Sequence, residues 1–98
     1  MLIQFERTGG IAGMRAAATV DTESLPQEEA RKLREMVDAS DFFNLPAKFP
    51  APERGADYFL YRITVDDGGR KHTVEVSEPS VPAQMRPLIK SLTAYSRK

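Results

Sequence analysis

One histidine and three carboxylate pairs are the residues of this 98-residue chain whose types could carry catalysis or hold a metal. His72, acting as a general base, needs a nucleophile or a carboxylate in reach. It stands instead in "RKHTVEV", an alternating run with His72, Val74 and Val76 on the inward side. A partly buried histidine near a sheet edge is the simpler reading. The carboxylate pairs are Glu28–Glu29, Asp38–Asp41 and Asp66–Asp67. The first follows a helix start and the last belongs to a turn, so both have structural reasons to be there. A zinc site takes three or four N, S or O ligands, and one histidine without cysteine is a poor start. There is no P-loop, EF-hand loop or dinucleotide fingerprint. No catalytic residue, metal ligand or cofactor is expected, and the chain reads as a non-enzyme.

What remains is binding, which loops on a rigid sheet perform well. Two loops stand out. "RTGGIAG" places Gly9, Gly10 and Gly13 between two strand-like runs. Glycine weakens a strand pair but lets another backbone approach closely. "PAKFPAPERGAD" (46–57) carries three prolines and a glycine, which argues against regular structure and stiffens the chain toward polyproline geometry. Together, residues 7–14 and 46–57 could supply most of one side of a standard interface of roughly 20–30 residues.

The elements that position these loops are legible as periodicities. In "LIQFER", Ile3 and Phe5 face one way and Gln4 and Glu6 the other. Alternation resumes with Met14, Ala16, Ala18 and Val20 opposite Arg15, Ala17 and Thr19. A helix follows, with Ser24 and Gln27 at capping-box spacing and Pro26 in its first turn. Ala30, Leu33, Met36 and Val37 form its apolar stripe, and "SDFFNLP" ends it with Phe42, Phe43 and Leu45 tucked beneath. "YFLYRITV" and "RKHTVEV" form a hairpin through "DDGG", with Phe59, Tyr61, Ile63 and Val65 inward. A second helix is predicted from about Pro82, with Met85, Leu88, Ile89, Leu92 and Tyr95 buried. Pro87 lies too deep for such a start, which points to a loose first turn or a later beginning.

The order is ββαββα. An α+β fold follows, one four-stranded antiparallel sheet with two helices packed on one face, in a single domain over 1–98. If the first helix climbs back along the sheet, the glycine loop and the proline-rich loop meet at one end and "DDGG" lies at the other.

Charge bounds the partners. Fourteen basic residues balance fourteen acidic ones, with five and eight up to Leu45 and nine and six beyond it. This is far from the basic footprint of a nucleic-acid binder, and neither nucleic acid nor membrane is expected as a partner. No leader and no apolar run long enough for a membrane span is visible, so a soluble, cytoplasmic protein is expected, as a monomer rather than an oligomer.

Three blocks in order, "IQFERTGGIAGMR", "DTESLPQEEARKLREMVDASDFFNLP" and "YRITVDDGGRKHTVEVSE", resemble the emfourin family. These are small bacterial inhibitors of protealysin and related thermolysin-like metalloproteases. The glycine pair Gly9–Gly10, followed by an apolar residue and Ala12, is the most distinctive element, and the resemblance spans nearly the whole chain. It implies a proteinaceous inhibitor that blocks the zinc-bearing cleft of a protease. The protease-binding residues would come from the two loops: Gly9, Gly10, Ile11, Ala12 and Gly13 from one, Lys48, Phe49, Pro50 and Arg54 from the other. Such proteases favour a bulky apolar residue just after the cleaved bond, and Ile11 or Phe49 would fill that pocket. The competing view is a bulged hairpin turn at the glycines, with Phe49 capping the core. A non-enzymatic interaction module or accessory subunit, with a partner that is not a protease, is the alternative function.

Overall fold

The computed structural model describes residues 1–9, 15–50 and 58–97. Four strands form one antiparallel sheet: β1 (Leu2–Gly9), β2 (Ala16–Asp21), β3 (Phe59–Asp67) and β4 (Arg70–Ser77), in spatial order β2-β1-β3-β4. Two helices, α1 (Gln27–Ala39) and α2 (Arg86–Tyr95), complete the ββαββα order.

The alternation in the sequence becomes a two-faced sheet. Ile3, Phe5, Val20, Tyr61, Ile63, Val65, Val74 and Val76 are buried on one side and join Leu33 and Val37 of α1 and Leu88, Ile89 and Leu92 of α2 in one apolar core. The other side is polar. Gln4, Thr19 and Arg62 are exposed there, Thr64 and Thr73 share a 2.8 Å hydroxyl hydrogen bond, and Arg62 pairs with Glu75 at 3.6 Å.

The β3–β4 turn is set by Gly68 and Gly69, both with positive φ (56° and 97°). Positive φ at both central residues is the hairpin geometry that matches strand twist and that glycine adopts at little cost.

Four expectations need correction. First, Ser24 and Gln27 form no capping box. Ser24 closes a 3-10 turn (Thr22–Ser24) capped by the Asp21 side chain, which accepts the Glu23 N–H. Pro26, in extended geometry, is the N-cap of α1, so Gln27 is the first helical residue and cannot reach back.

Second, α1 does not climb the sheet. It starts beside Asp21 at the outer end of β2, and the residues after it lie against the start of β4: the Arg70 guanidinium is 4.0 Å from the Phe43 ring centre, and Phe42 packs edge-on to His72. The helix crosses the sheet from the β2 side to the β4 side without leaving that end. The α2 helix runs back the opposite way: Met36 accepts from Ser91, while Ala39, later in α1, shares a cleft with Pro87, earlier in α2.

Third, the proline-rich stretch is not wholly irregular. Lys48 forms a parallel bridge with Glu75, through Phe49 N–H to Glu75 O (3.0 Å) and Glu75 N–H to Ala47 O (2.8 Å). Pro46 and Pro50 flank the bridge, and neither removes a donor that it uses. This segment makes the climb assigned to the helix.

Fourth, α2 begins at Arg86 and not at about Pro82, which is the later beginning that Pro87 pointed to, after a separate 3-10 turn (Ala83–Met85). Pro87 thus falls in the first helical turn, where a missing N–H leaves no hydrogen bond broken.

Candidate functional site

The register defines the two ends of the sheet. Gly9 faces Phe59, Arg7 faces both Ala16 and Tyr61, and Leu60 faces Ser77. At the other end Leu2 lies between Asp21 and Asp66, near the Gly68–Gly69 turn. The residues that anchor the glycine loop (Gly9 and Arg15) and the proline-rich loop (Pro50 and Tyr58) therefore gather at one end, as expected, although by a different chain path.

Gly9 is needed twice over. Its φ is +92°, and a Cβ built on it would lie 2.5 Å from the Tyr58 carbonyl oxygen. The residue that opens one loop abuts the residue that closes the other, and only glycine leaves room.

Beneath this joint lies a stack that the sequence reading missed. Phe5 and Tyr61 stack with ring centres 6.1 Å apart, and Tyr61 meets Phe59 at 6.5 Å. The Arg7 guanidinium covers Phe59 at 4.4 Å, so a cation caps the aromatic ladder where the loops emerge. The signal was present: alternation places Arg7 on the same face as Ile3 and Phe5, and an inward charge at a strand end calls for a partner. Tyr61 holds its proton above the usual phenol range, chiefly because it is buried and secondly because Glu78 is near; Arg7 and Arg86 act in the opposite sense.

The proline-rich loop is held at its start. Phe49 is half-buried and packs against the core, while Lys48 and Pro50 are exposed. The Ser80 hydroxyl donates to Pro50 O at 3.1 Å, fixing the point at which the loop leaves β4. Ser77, at the end of β4, donates to the Ser80 oxygen at 3.4 Å. Of the nine candidate binding residues, the structure brings Gly9, Lys48, Phe49 and Pro50 to this end. Gly10, Ile11, Ala12, Gly13 and Arg54 lie outside the described residues.

The residues weighed for catalysis are occupied structurally. His72 Nε2 lies 2.7 Å from Leu45 O, which can only accept, so Nε2 carries the hydrogen and ties the turn after α1 to β4. Glu28 sits below the usual carboxylate range, held first by its hydrogen bond from Arg31, which also reaches Glu35. Asp41, in left-handed geometry (φ 53°), accepts from Asn44, and Asp67 pairs with Arg70. Among the described residues no group of His, Cys, Asp or Glu could hold a metal ion, and no helix is long and apolar enough to cross a membrane.

This is a small α+β scaffold that places the residues bounding two loops, Gly9 and Arg15 for one and Pro50 and Tyr58 for the other, at one end of its sheet, as a loop-presenting binding protein does. The sequence profile of the Emfourin family matches residues 5–93, nearly the whole chain, and the chain belongs to that family. Emfourins are protease inhibitors, which supports an inhibitory, non-enzymatic role in general. No curated protein and no solved structure matches the chain.

Proposed function

We propose that this protein inhibits a thermolysin-like, protealysin-type zinc metalloprotease by inserting the loops at the Gly9–Tyr58 end into the active-site cleft. The observation that carries the reading is the close approach of Gly9 to the Tyr58 carbonyl, at the end of the β1–β3 ladder where Gly9 faces Phe59, which sets the bases of both loops side by side. A cleft-blocking inhibitor needs a rigid, slim base, because segments ordered before binding lose less entropy on association.

Roles within the site follow from burial. Phe49 already packs part of its side chain on the core, so entering a protease pocket would expose it. That leaves Ile11, the other bulky apolar residue of the two loops, and we assign it to the pocket that receives the residue after the cleaved bond. Phe49 then holds the 47–50 segment against β4. Lys48, Pro50 and Arg54 contribute at the rim, and a backbone carbonyl or nearby carboxylate of the inserted loop approaches the protease zinc.

The test is slow-binding inhibition: the protein pre-incubated with thermolysin and with a protealysin-type enzyme, then followed on a quenched fluorescent peptide. Nanomolar, time-dependent inhibition of either is expected. Full protease activity at micromolar inhibitor would overturn the reading, leaving a protein-interaction module whose partner is not one of these enzymes.

A further inference from the structure

The two edges of the sheet are treated differently. The outer edge of β4 is covered by the Ala47–Phe49 segment, which takes up backbone groups of Glu75. Among the described residues the outer edge of β2 has no such cover: its ladder runs to β1 alone, and no backbone hydrogen bond reaches its other side. Exposed edges are usually blunted by lysine, proline, a bulge or a covering segment. Residues 16–21, Ala-Ala-Ala-Thr-Val-Asp, hold neither lysine nor proline, and their register with β1 is unbroken.

We infer that two copies of this chain pair along β2, antiparallel and centred on Ala18, to form a continuous eight-stranded sheet. The register is chosen by charge and by face. An antiparallel self-pairing keeps both helix layers on one side only if facing residues share a face, which restricts the centre to a residue rather than a bond. Centring on Ala18 sets Arg15 opposite Asp21 of the second copy, twice by symmetry, on the polar face. It also sets Ala17 opposite Thr19, and on the helix face Ala16 opposite Val20 and Ala18 opposite itself. Centring on Ala17 or Thr19 sets Arg15 against Thr19, or Asp21 against Ala17, and loses both charge pairs.

The two charges are available for this. Arg15 is exposed and already touches Glu6, but a guanidinium has five N–H donors, enough for a second carboxylate. Asp21 is exposed, and its bond to the Glu23 N–H uses one oxygen. The alanines leave no bulk at the seam. The two-fold axis reverses strand direction, so the Gly9–Tyr58 ends of the two copies point in opposite directions and neither blocks the other. The inference stands apart from the inhibitory reading and departs from the monomer expected from the sequence.

Sedimentation equilibrium of the full chain from 1 to 300 μM tests it. A concentration-dependent dimer is expected; a monomer throughout would overturn the inference. Arg15→Asp sets like charges opposite each other at both ends of the seam and is expected to weaken the dimer roughly tenfold or more. The double variant R15D/D21R is expected to restore it, and a dimer indifferent to both changes would place the interface elsewhere. Because the chain has no cysteine, Ala18→Cys offers a direct readout independent of those charges. Facing Cβ atoms in such a pair lie about 4.5–5.5 Å apart, so oxidation is expected to give a covalent dimer where Gln4→Cys, on the inner strand β1, gives none. No covalent product from Ala18→Cys, or equal yield from both, would also overturn the inference.

Discussion

Gly9 and Tyr58 meet where the two loop bases come together: a methyl group on Gly9 would stand 2.5 Å from the Tyr58 carbonyl oxygen, with φ at +92°. Gly69, at the opposite end of the sheet, has a similar φ of +97° but open space around its Cβ direction. The pair separates steric from conformational cost. Gly69→Ala is expected to lose about 1 kcal/mol from backbone geometry alone. Gly9→Ala should lose about 2–4 kcal/mol, because the carbonyl and the β1–β3 ladder must also shift. Urea midpoints of the two variants, measured side by side, check this; equal losses would mean that the Tyr58 contact costs nothing.

Ile11→Asp is expected to weaken protease inhibition at least tenfold, which is more than about 1.4 kcal/mol of binding, with unchanged circular dichroism. Inhibition constants on the two proteases named above are the measurement. An unaltered constant would remove Ile11 from the pocket and return Phe49 to consideration.

The bond from Ser80 to Pro50 O predicts a milder effect. Ser80→Ala leaves the core intact and should change folding stability by less than about 0.5 kcal/mol. By freeing the start of the proline-rich loop it should weaken inhibition about two- to fivefold, because more of the loop must be ordered on binding. Inhibition and thermal unfolding measured on the same preparation distinguish the two contributions.

Phe42 joins the turn after α1 to β4, packing on Phe43 and His72 while His72 donates to Leu45 O. Phe42 is 1% exposed. Phe42→Ala should cost about 3–5 kcal/mol, and His72→Ala about 1–2 kcal/mol from the lost hydrogen bond and ring contact. Chemical denaturation of both variants tests the ranking; a larger loss from His72 would reverse it.

Tyr61 sets a pH limit. Burial, followed by Glu78, raises its pKa in the folded state above 10.0, the ordinary value that the unfolded chain shows. The folded state therefore keeps the proton more tightly than the unfolded one. The associated stability is fully present below pH 10 and declines as pH rises through 10 toward the higher folded value. Tyr61→Phe should flatten the loss of stability between pH 9 and pH 11, read as the shift in urea midpoint. An identical slope in the two proteins would show that Tyr61 is not the group responsible.

The fold class was readable because each element buries one face, and period alone identifies that face. Ile3 and Phe5, Tyr61, Ile63 and Val65, and Leu33 with Val37 all entered the core on the side their spacing dictated. The Gly68–Gly69 hairpin turn and the late start of α2 were equally local. Turn φ angles and missing proline donors act over two or three residues, so sequence suffices to read them.

What local rules could not reach was decided by packing across the sheet. Periodicity says that α1 has an apolar stripe, but not the direction in which it crosses the strands. That direction came from the contacts of Phe42 and Phe43 with His72 and Arg70, far away in sequence. The Lys48–Glu75 bridge was hidden for the same reason, since prolines restrict their own backbone without saying which edge stands nearby. Arg7 could be placed on the inner face by counting, yet its ring partner Phe59 is known only once β1 and β3 are neighbours. By itself the sequence determined two loops of unusual composition, four strands, two helices and which sides of them are apolar. Only the tertiary structure set the two loop bases against each other, because the contact between Gly9 and Tyr58 depends on strand order, and strand order is settled by long-range burial that no short window of residues contains.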